Sequence, residues 1–364
     1  MSESLGKVVV GMSGGVDSSV AALLLKQQGY QVIGVMLKLW SEEGFGRDNQ
    51  CCSLESAQQA RIIASKIGIP FYLLDASNQF YNSVVKPFVD SYLCGQTPNP
   101  CSLCNPLVRW KMLLDYADAI DAQFVSTGHY ARTSIDPDKR VHLFRGVDSQ
   151  KDQSYIISRL NQIQLQRSIF PLGIYTKLEI RKIAAEYELP SASKPDSQDI
   201  CFIGDGDYRN FLKRNYGSLI QSGNIVDQQH NILGIHPGLP FFTIGQRKGL
   251  KISAPEPYYV LSKNPEKNEV LVGKKNDLLI NQVLIDDVNW VSCMPIHKPI
   301  HAYAQFRYKA VPKLVSAEIQ PDNRLKIGLE VAANDIACGQ IAVLYNEDNE
   351  VIVSGRIIQT ENQL

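Results

Sequence analysis

The 364-residue sequence has no net charge, because 37 lysines and arginines balance 37 aspartates and glutamates. Bulk attraction to nucleic acid is thereby excluded, and any RNA-binding surface has to be a local patch. No apolar stretch approaches the length of a membrane span, and the opening MSESLGKVVV has no long apolar run or transit-peptide character. A soluble cytoplasmic protein, or one of an organelle matrix, is expected, without a membrane partner. Internal repeats and low-complexity linkers are also missing. Cysteine is sparse, at eight residues, which does not suit a secreted disulfide scaffold of this length. In a reducing compartment the clustering of those cysteines points to reactive or ligating thiols.

A Walker P-loop, GxxxxGK[ST], is absent. What stands in its place is Lys7 to Val20, KVVVGMSGGVDSSV, an apolar strand running into a glycine turn that opens a helix. Gly11, Gly14 and Gly15 allow backbone angles that other residues resist and let a ligand approach the main chain. Unpaired N–H groups and the helix dipole make this helix start a seat for an anion. Gly11-Met12-Ser13-Gly14-Gly15 also satisfies G-x-S-x-G, the hydrolase elbow, which would make Ser13 a nucleophile with His129 or His142 as base. The longer SGGVDSS resembles the diphosphate loop of PP-loop ATP pyrophosphatases. That resemblance implies ATP held by Gly11, Met12, Ser13, Gly14, Gly15, Val16, Asp17 and Ser18, with Asp17 helping to place Mg²⁺, and transfer of AMP to a substrate oxygen.

Further strands are expected at Gln31 to Leu37, Phe71 to Leu74 and Gln123 to Thr127. Helices are expected at Leu54 to Ile67 behind a Ser53 cap, at Gln79 to Leu93 and at Pro106 to Ile120. This alternation predicts an α/β domain with a doubly wound parallel sheet, whose ligands sit at the carboxyl ends of the strands. A hairpin is predicted around Asp136-Pro137-Asp138. Beyond Asp277, short β-rich runs separated by turn signals suggest a closed barrel or sandwich. The domains expected are 1–206, a small central domain at 207–276, and a C-terminal β-barrel at 277–364.

Two cysteine stretches stand far apart. In GQTPNPCSLCNPLVRWK, Thr97-Pro98-Asn99-Pro100 places Cys101 and Cys104 on a loop. Asn105 is expected to cap a helix with Pro106 at its first position, so Cys104 would sit at the positive end of a dipole that favours the thiolate. A structural zinc site would need a second Cys pair at similar spacing, and none exists. Cys201 follows a polar loop, Ser193 to Asp199. Cys51-Cys52 reads as packing at a helix start.

SGGVDSS, TPNPCxxCN, GHYA, KDQSY, DSQDICFIG and TIGQRKG, in this order along the whole chain, resemble the tRNA-specific 2-thiouridylases, the MnmA family. The resemblance implies a PP-loop domain, a central domain and a C-terminal barrel. It also implies replacement of the C2 oxygen of the wobble uridine of tRNA by sulfur after adenylation. On that basis Leu37 and Gly128 line the adenosine pocket. Cys201 carries a persulfide loaded by a cysteine-desulfurase relay, and Cys104 attacks or resolves it, ending in a Cys104–Cys201 disulfide. Asn99, Pro100 and Cys101 touch the base, while His129, Lys151, Asp152, Gln153, Arg307, Tyr308 and Gln340 contact tRNA. Much of the family has Asp in place of Cys101. A third thiol also opens an iron–sulfur route with Cys101, Cys104 and Cys201 as ligands, and the persulfide and cluster routes both stand at this point. A monomer is expected.

Overall fold

Val8, Val9 and Val10 have no solvent exposure. The reason is the position of β1 (Lys7–Gly11) in the computed structural model, which describes residues 5–42, 54–195 and 200–362. It is the middle strand of a five-stranded sheet with β2 (Gln31–Lys38), β3 (Phe71–Asp75), β4 (Phe124–Ser126) and β7 (Ser168–Ile169), in the order β3-β2-β1-β4-β7. All four pairings are parallel, and a strand covered on both faces reads as a continuous apolar run. The strand order reverses at β1 and β4. In doubly wound sheets a crevice opens at such a point, beyond the carboxyl ends of the strands.

The predicted hairpin forms from β5 (Ala131–Ile135) and β6 (Val141–Arg145). A separate four-stranded sheet has the order β10-β11-β8-β9, made of β8 (Gly223–Val226), β9 (Ile232–His236), β10 (Tyr259–Asn264) and β11 (Glu269–Gly273). The C-terminal part is a closed six-stranded barrel of β12 (Ile280–Trp290), β13 (Ile300–Gln305), β14 (Lys313–Ile319), β15 (Leu325–Ala333), β16 (Ile341–Tyr345) and β17 (Val351–Asn362). Barrel closure removes the exposed edges that an open antiparallel sheet would leave. Ser53, Cys51, Cys52 and the segment Asp196 to Asp199 lie outside the described residues.

Two helices differ from expectation, and prolines explain both. The first runs as α Ser77–Phe80, π Tyr81–Val85 and α Lys86–Leu93; the second as α Pro100–Cys104, π Asn105–Trp110 and α Lys111–Ala119. Pro87 and Pro106 each sit inside a helix, where the ring crowds the carbonyl four residues back. In both cases a wider π turn stands beside the proline, and the helix continues instead of breaking.

The barrel shares a hydrophobic core with the nucleotide-fold sheet, since Ile341, Val343, Tyr345 and Val351 pack in the same cluster as Val9, Val35 and Val125. Polar contacts fix the docking. Arg145 stacks 3.7 Å from the Tyr345 ring centroid and donates to Gln305 Oε1 at 2.9 Å. Tyr155 Oη donates to the Ile341 carbonyl at 2.9 Å. His142 on β6 is clasped between Glu350 Oε1 at 2.6 Å, ahead of β17, and Asp136 Oδ2 at 3.2 Å.

Burial alone would push the His142 imidazole down, but hydrogen bonds to Glu350 and Asp136 outweigh it and leave its pKa raised above 6.5. A raised folded-state pKa contributes stability that is complete below the unfolded value and lost as pH rises through the folded one. The stability advantage of the wild type over His142→Gln, at most about 1 kcal/mol for so accessible a pair, should therefore shrink as pH rises above about 6.5, the unfolded value. Thermal unfolding of both proteins across that range checks it. An advantage independent of pH would refute the clasp.

Candidate active site

At the switch point the chain leaves β1 through the glycine turn. Met12 N–H donates to the Val35 carbonyl at 2.7 Å, which fixes the turn to β2. Gly14 has φ +73°, and a Cβ there would meet the Ser56 carbonyl oxygen at 2.9 Å, so the turn needs glycine. Helix α1 (Val16–Gln27) then starts behind Gly15, which offers no side-chain cap. Its first N–H groups are left for a ligand. Ser18 Oγ stands 3.4 Å from Ser13 Oγ, accepts from Ser13 N–H at 3.2 Å and reaches the Gly15 carbonyl at 3.2 Å.

A cavity of about 500 Å³ opens over this turn. Gly11, Met12, Ser13, Asp17 and Ser18 line it, together with Leu37 at the carboxyl end of β2 and Gly128 after β4. Gly14, Gly15 and Val16 are not among its walls: Gly14 turns the chain, and Val16 is buried in the core beneath. Asp17 is the one carboxylate among the described lining residues. Lys177 Nζ donates to its two oxygens at 2.6 and 2.8 Å, and Tyr130 Oη donates at 2.7 Å. A single positioned carboxylate suits Mg²⁺, which commonly takes one or two carboxylates and completes its shell with substrate phosphates and water.

The same cavity carries the thiols. Cys101, Cys104 and Cys201 all line the cavity, with Cys101 exposed, Cys104 buried and Cys201 half-buried. The local structure corrects the expected helix start. Asn99 is the N-cap, with extended φ −112° and ψ 96°, and Pro100 occupies the first turn. Asn105 is inside the helix at φ −62° and ψ −60°, and its side-chain amide donates to the Ile156 carbonyl at 3.1 Å. Cys101 and Cys104 therefore ride on a helix instead of a loop, and the positive end of its dipole lies near Cys101, one turn before Cys104. Either proline could start a helix; Pro100 does so because Asn99 is extended, as a pre-proline residue prefers. Cys201 is held in place by its neighbour Phe202, whose ring meets Phe80, Phe88 and Phe211 at 5.6, 5.2 and 5.8 Å.

Among the described residues no disulfide is present. No group of three or more His, Cys, Asp or Glu side chains in them could hold a metal.

Asn99, Pro100, His129, Gln153, Tyr308 and Gln340 complete the rim. His129 Nδ1 is 2.7 Å from Thr127 Oγ1; burial, and then the Arg109 charge, push its pKa down to about 3. It is a neutral ring at any ordinary pH. With Ser13 turned to Ser18, and His142 clasped by Glu350 and Asp136, no hydrolase dyad assembles. Gln153 Oε1 accepts from Tyr130 N–H at 3.1 Å, which links the rim to the residue that holds Asp17. Tyr308, pushed up to about 12 by burial and then by the Asp152 charge, is a neutral phenol.

Lys151, Asp152 and Arg307 lie outside the cavity. Asp152 is 8 % exposed, accepting from Gly146 N–H, Ser154 and Arg145, so it organises the barrel contact. Arg307 is exposed, 4.0 Å from Asp335. Arg109, a cation in the cavity wall, was not singled out by sequence. It follows Cys104 at i+5, the repeat of a π turn, a placement that no α-helical spacing would suggest.

Residues 6–205 match the family model described as tRNA methyl transferase HUP domain, 209–274 the tRNA methyl transferase PRC-barrel domain, and 280–357 the aminomethyltransferase beta-barrel domain. The chain is 42% identical over 355 residues to tRNA-specific 2-thiouridylase MnmA 1 of Clostridium botulinum strain Hall, covering 97% of this chain and 99% of that protein. It is 42% identical to tRNA-specific 2-thiouridylase MnmA of Clostridioides difficile, covering 97% and 98%. To the protein of that name from Heliobacterium modesticaldum it is 43% identical, covering 97% and 92%.

Proposed function

Because this chain belongs to the tRNA-specific 2-thiouridylase family, ATP-dependent sulfurtransferases, we propose that it adenylates the C2 oxygen of the wobble uridine and replaces that oxygen with sulfur carried by Cys201. One observation carries the reading: the diphosphate turn and two thiols from distant stretches, Cys104 and Cys201, line a single cavity. The family-model descriptions speak of methyl transfer; a thiol pair facing a nucleotide turn is the equipment of sulfur transfer.

A uracil C2 oxygen is a very poor leaving group. Attack by that oxygen on the α-phosphate of ATP forms an O–P bond, breaks the α–β bridge and releases diphosphate. Departure of oxide then becomes departure of AMP. The N–H groups at the start of α1 and the hydroxyls of Ser13 and Ser18 hold the phosphates, while Leu37 and Gly128 lie against the adenosine. Asp17 would hold Mg²⁺, which offsets charge on the diphosphate when bound. Arg109 adds the one formally charged cation of the described cavity wall.

Cys201 receives a terminal sulfur from a desulfurase-derived donor and becomes a persulfide. Cys104 thiolate attacks the inner sulfur, forming the Cys104–Cys201 disulfide and expelling hydrosulfide, which attacks C2 and displaces AMP. In the alternative order the terminal sulfur attacks C2 first, and Cys104 then cleaves the S–S bond. Both orders balance, and both leave a disulfide that an external thiol must reduce. The target base is splayed from the anticodon loop against Asn99, Pro100 and Cys101, with His129, Gln153, Tyr308 and Gln340 around it. The nucleotide turn and both thiols come from one chain, which suits a monomer, and a cytoplasmic location suits a tRNA substrate and reducible thiols.

The test is to incubate the protein with ATP, Mg²⁺, a persulfide donor and unmodified tRNA, then to assay digested RNA for 2-thiouridine by mass spectrometry. Failure to form it, aerobically and anaerobically, refutes the reading. Cys101→Asp is expected to keep thiolation without bound iron. Loss of activity in that variant, together with iron in the wild type, would favour a cluster instead.

A further inference from the structure

The motif TIGQRKGL has no part in the cavity, yet the loop it forms is built with care. Ile244 and Leu250 pack into the core of the four-stranded sheet and pin both ends. Between them Gln246 works as a clamp: its Oε1 accepts from Thr243 N–H at 3.1 Å and its Nε2 donates to the Lys248 carbonyl at 2.9 Å. Gly245 N–H donates to the Val260 carbonyl at 2.8 Å, and Val260 N–H to that of Gln246 at 3.0 Å, so the loop is tied to β10. Gly245 and Gly249 take φ +81° and +84°, and Lys251 takes φ +54°, a left-handed conformation uncommon for lysine.

The product of this construction is three exposed cations, Arg247, Lys248 and Lys251. None has an ion-pair partner among the described residues, and the stretch 243–251 contains no acid. A fixed loop that displays unneutralised charge in a chain of zero net charge is a local anion-binding patch.

Its position gives the partner. A Cβ on Gly245 would stand 3.8 Å from the Asn334 carbonyl oxygen of the barrel. The next residue, Asp335, pairs with Lys313 at 3.5 Å and Arg307 at 4.0 Å, and Arg307 precedes Tyr308 in the cavity wall. The loop thus lies against the barrel beside Asp335, whose partner Arg307 adjoins Tyr308 of the cavity wall.

We propose that the loop Thr243 to Lys251 is a second RNA contact, which takes backbone phosphates of the tRNA outside the segment whose base enters the cavity. It reads charge and not sequence, and it acts through affinity. This rests on the thiouridylase reading, but its test is direct RNA binding, which can fail or succeed independently of 2-thiouridine formation.

Binding of unmodified tRNA to the full-length wild type and to the triple variant Arg247→Ala/Lys248→Ala/Lys251→Ala is measured over a range of salt concentrations. Each lost phosphate contact lowers the log–log salt slope by about 1, so a slope smaller by about 2 to 3 and affinity weaker by roughly tenfold or more at moderate salt are expected. The KM for tRNA should rise while the KM for ATP and kcat stay unchanged, and the swap Arg247→Lys/Lys248→Arg should restore most binding. Unchanged affinity and slope overturn the proposal, as does weaker binding with the wild-type slope, which would mean a structural loop. Intact RNA binding combined with failure to accept sulfur from a protein donor would overturn it in favour of a donor-docking surface.

Discussion

Replacing Cys201 or Cys104 by serine should abolish 2-thiouridine formation, by a factor on the order of 10³ or more, while ATP binding is kept. Neither thiol belongs to the glycine turn, and serine is close to cysteine in volume, so the nucleotide seat survives. What is lost is sulfur chemistry: a hydroxyl can neither carry a persulfide nor cleave one. The two variants should differ in a second measurement. Cys104→Ser should accumulate protein bearing one extra sulfur, visible by intact mass, whereas Cys201→Ser should not be loaded at that position. Full activity of either variant would eliminate its assigned role.

Gly128→Ala should raise the KM for ATP by roughly 100-fold, the scale of a misplacement of about 1 Å in a reacting group. Gly128 follows β4 and lies flat against the first turn of α1. A Cβ there would stand 2.7 Å from Ser18 N, 2.8 Å from Asp17 C and 3.0 Å from Asp17 Cβ. Two of these atoms are main chain and none is a flexible side-chain end, so the strain falls on the helix start that seats the diphosphate. ATP-dependent diphosphate release measures it, with tRNA binding as the control that stays unchanged. A wild-type KM for ATP would show that the gap beside Gly128 does not matter.

Four strands of the doubly wound sheet were legible because they are short apolar runs ended by glycine or by polar turns, whereas β7, only Ser168–Ile169, is too short to carry such a pattern. Most of the barrel was legible in the same way. β12 was not, since Asn281, Asp286, Asp287 and Asn289 interrupt its apolar residues. Their partners are distant: Asp287 pairs with Arg159 at 2.5 Å, Asp286 with Arg356 at 2.7 Å, and Asn289 donates to the Ser158 and Leu160 carbonyls. At the site, the glycine turn and the three cavity thiols were found. The start of the cysteine helix was misplaced because two Asn-Pro pairs, at 99–100 and 105–106, carry the same start signal. Asp152 was expected to contact tRNA, yet its burial depends on Arg145 and the barrel, which no local reading of KDQSY contains.

The segment leading into the helix of Cys101 and Cys104 is held by the barrel. Thr97 N–H donates to the Cys338 carbonyl at 2.9 Å, and Gln340 Nε2 returns a bond to the Thr97 carbonyl at 2.8 Å. Gly339 lies so close that a Cβ would meet Thr97 O at 3.0 Å. On a ribosome the nucleotide fold emerges and folds first, but Thr97 gains these barrel contacts only after the segment Cys338 to Gln340, just ahead of the last two barrel strands, has left the exit tunnel. Competence for RNA thiolation therefore arrives only with the final stretch of translation, and prematurely terminated chains are left with a nucleotide fold whose substrate mouth is unbuilt.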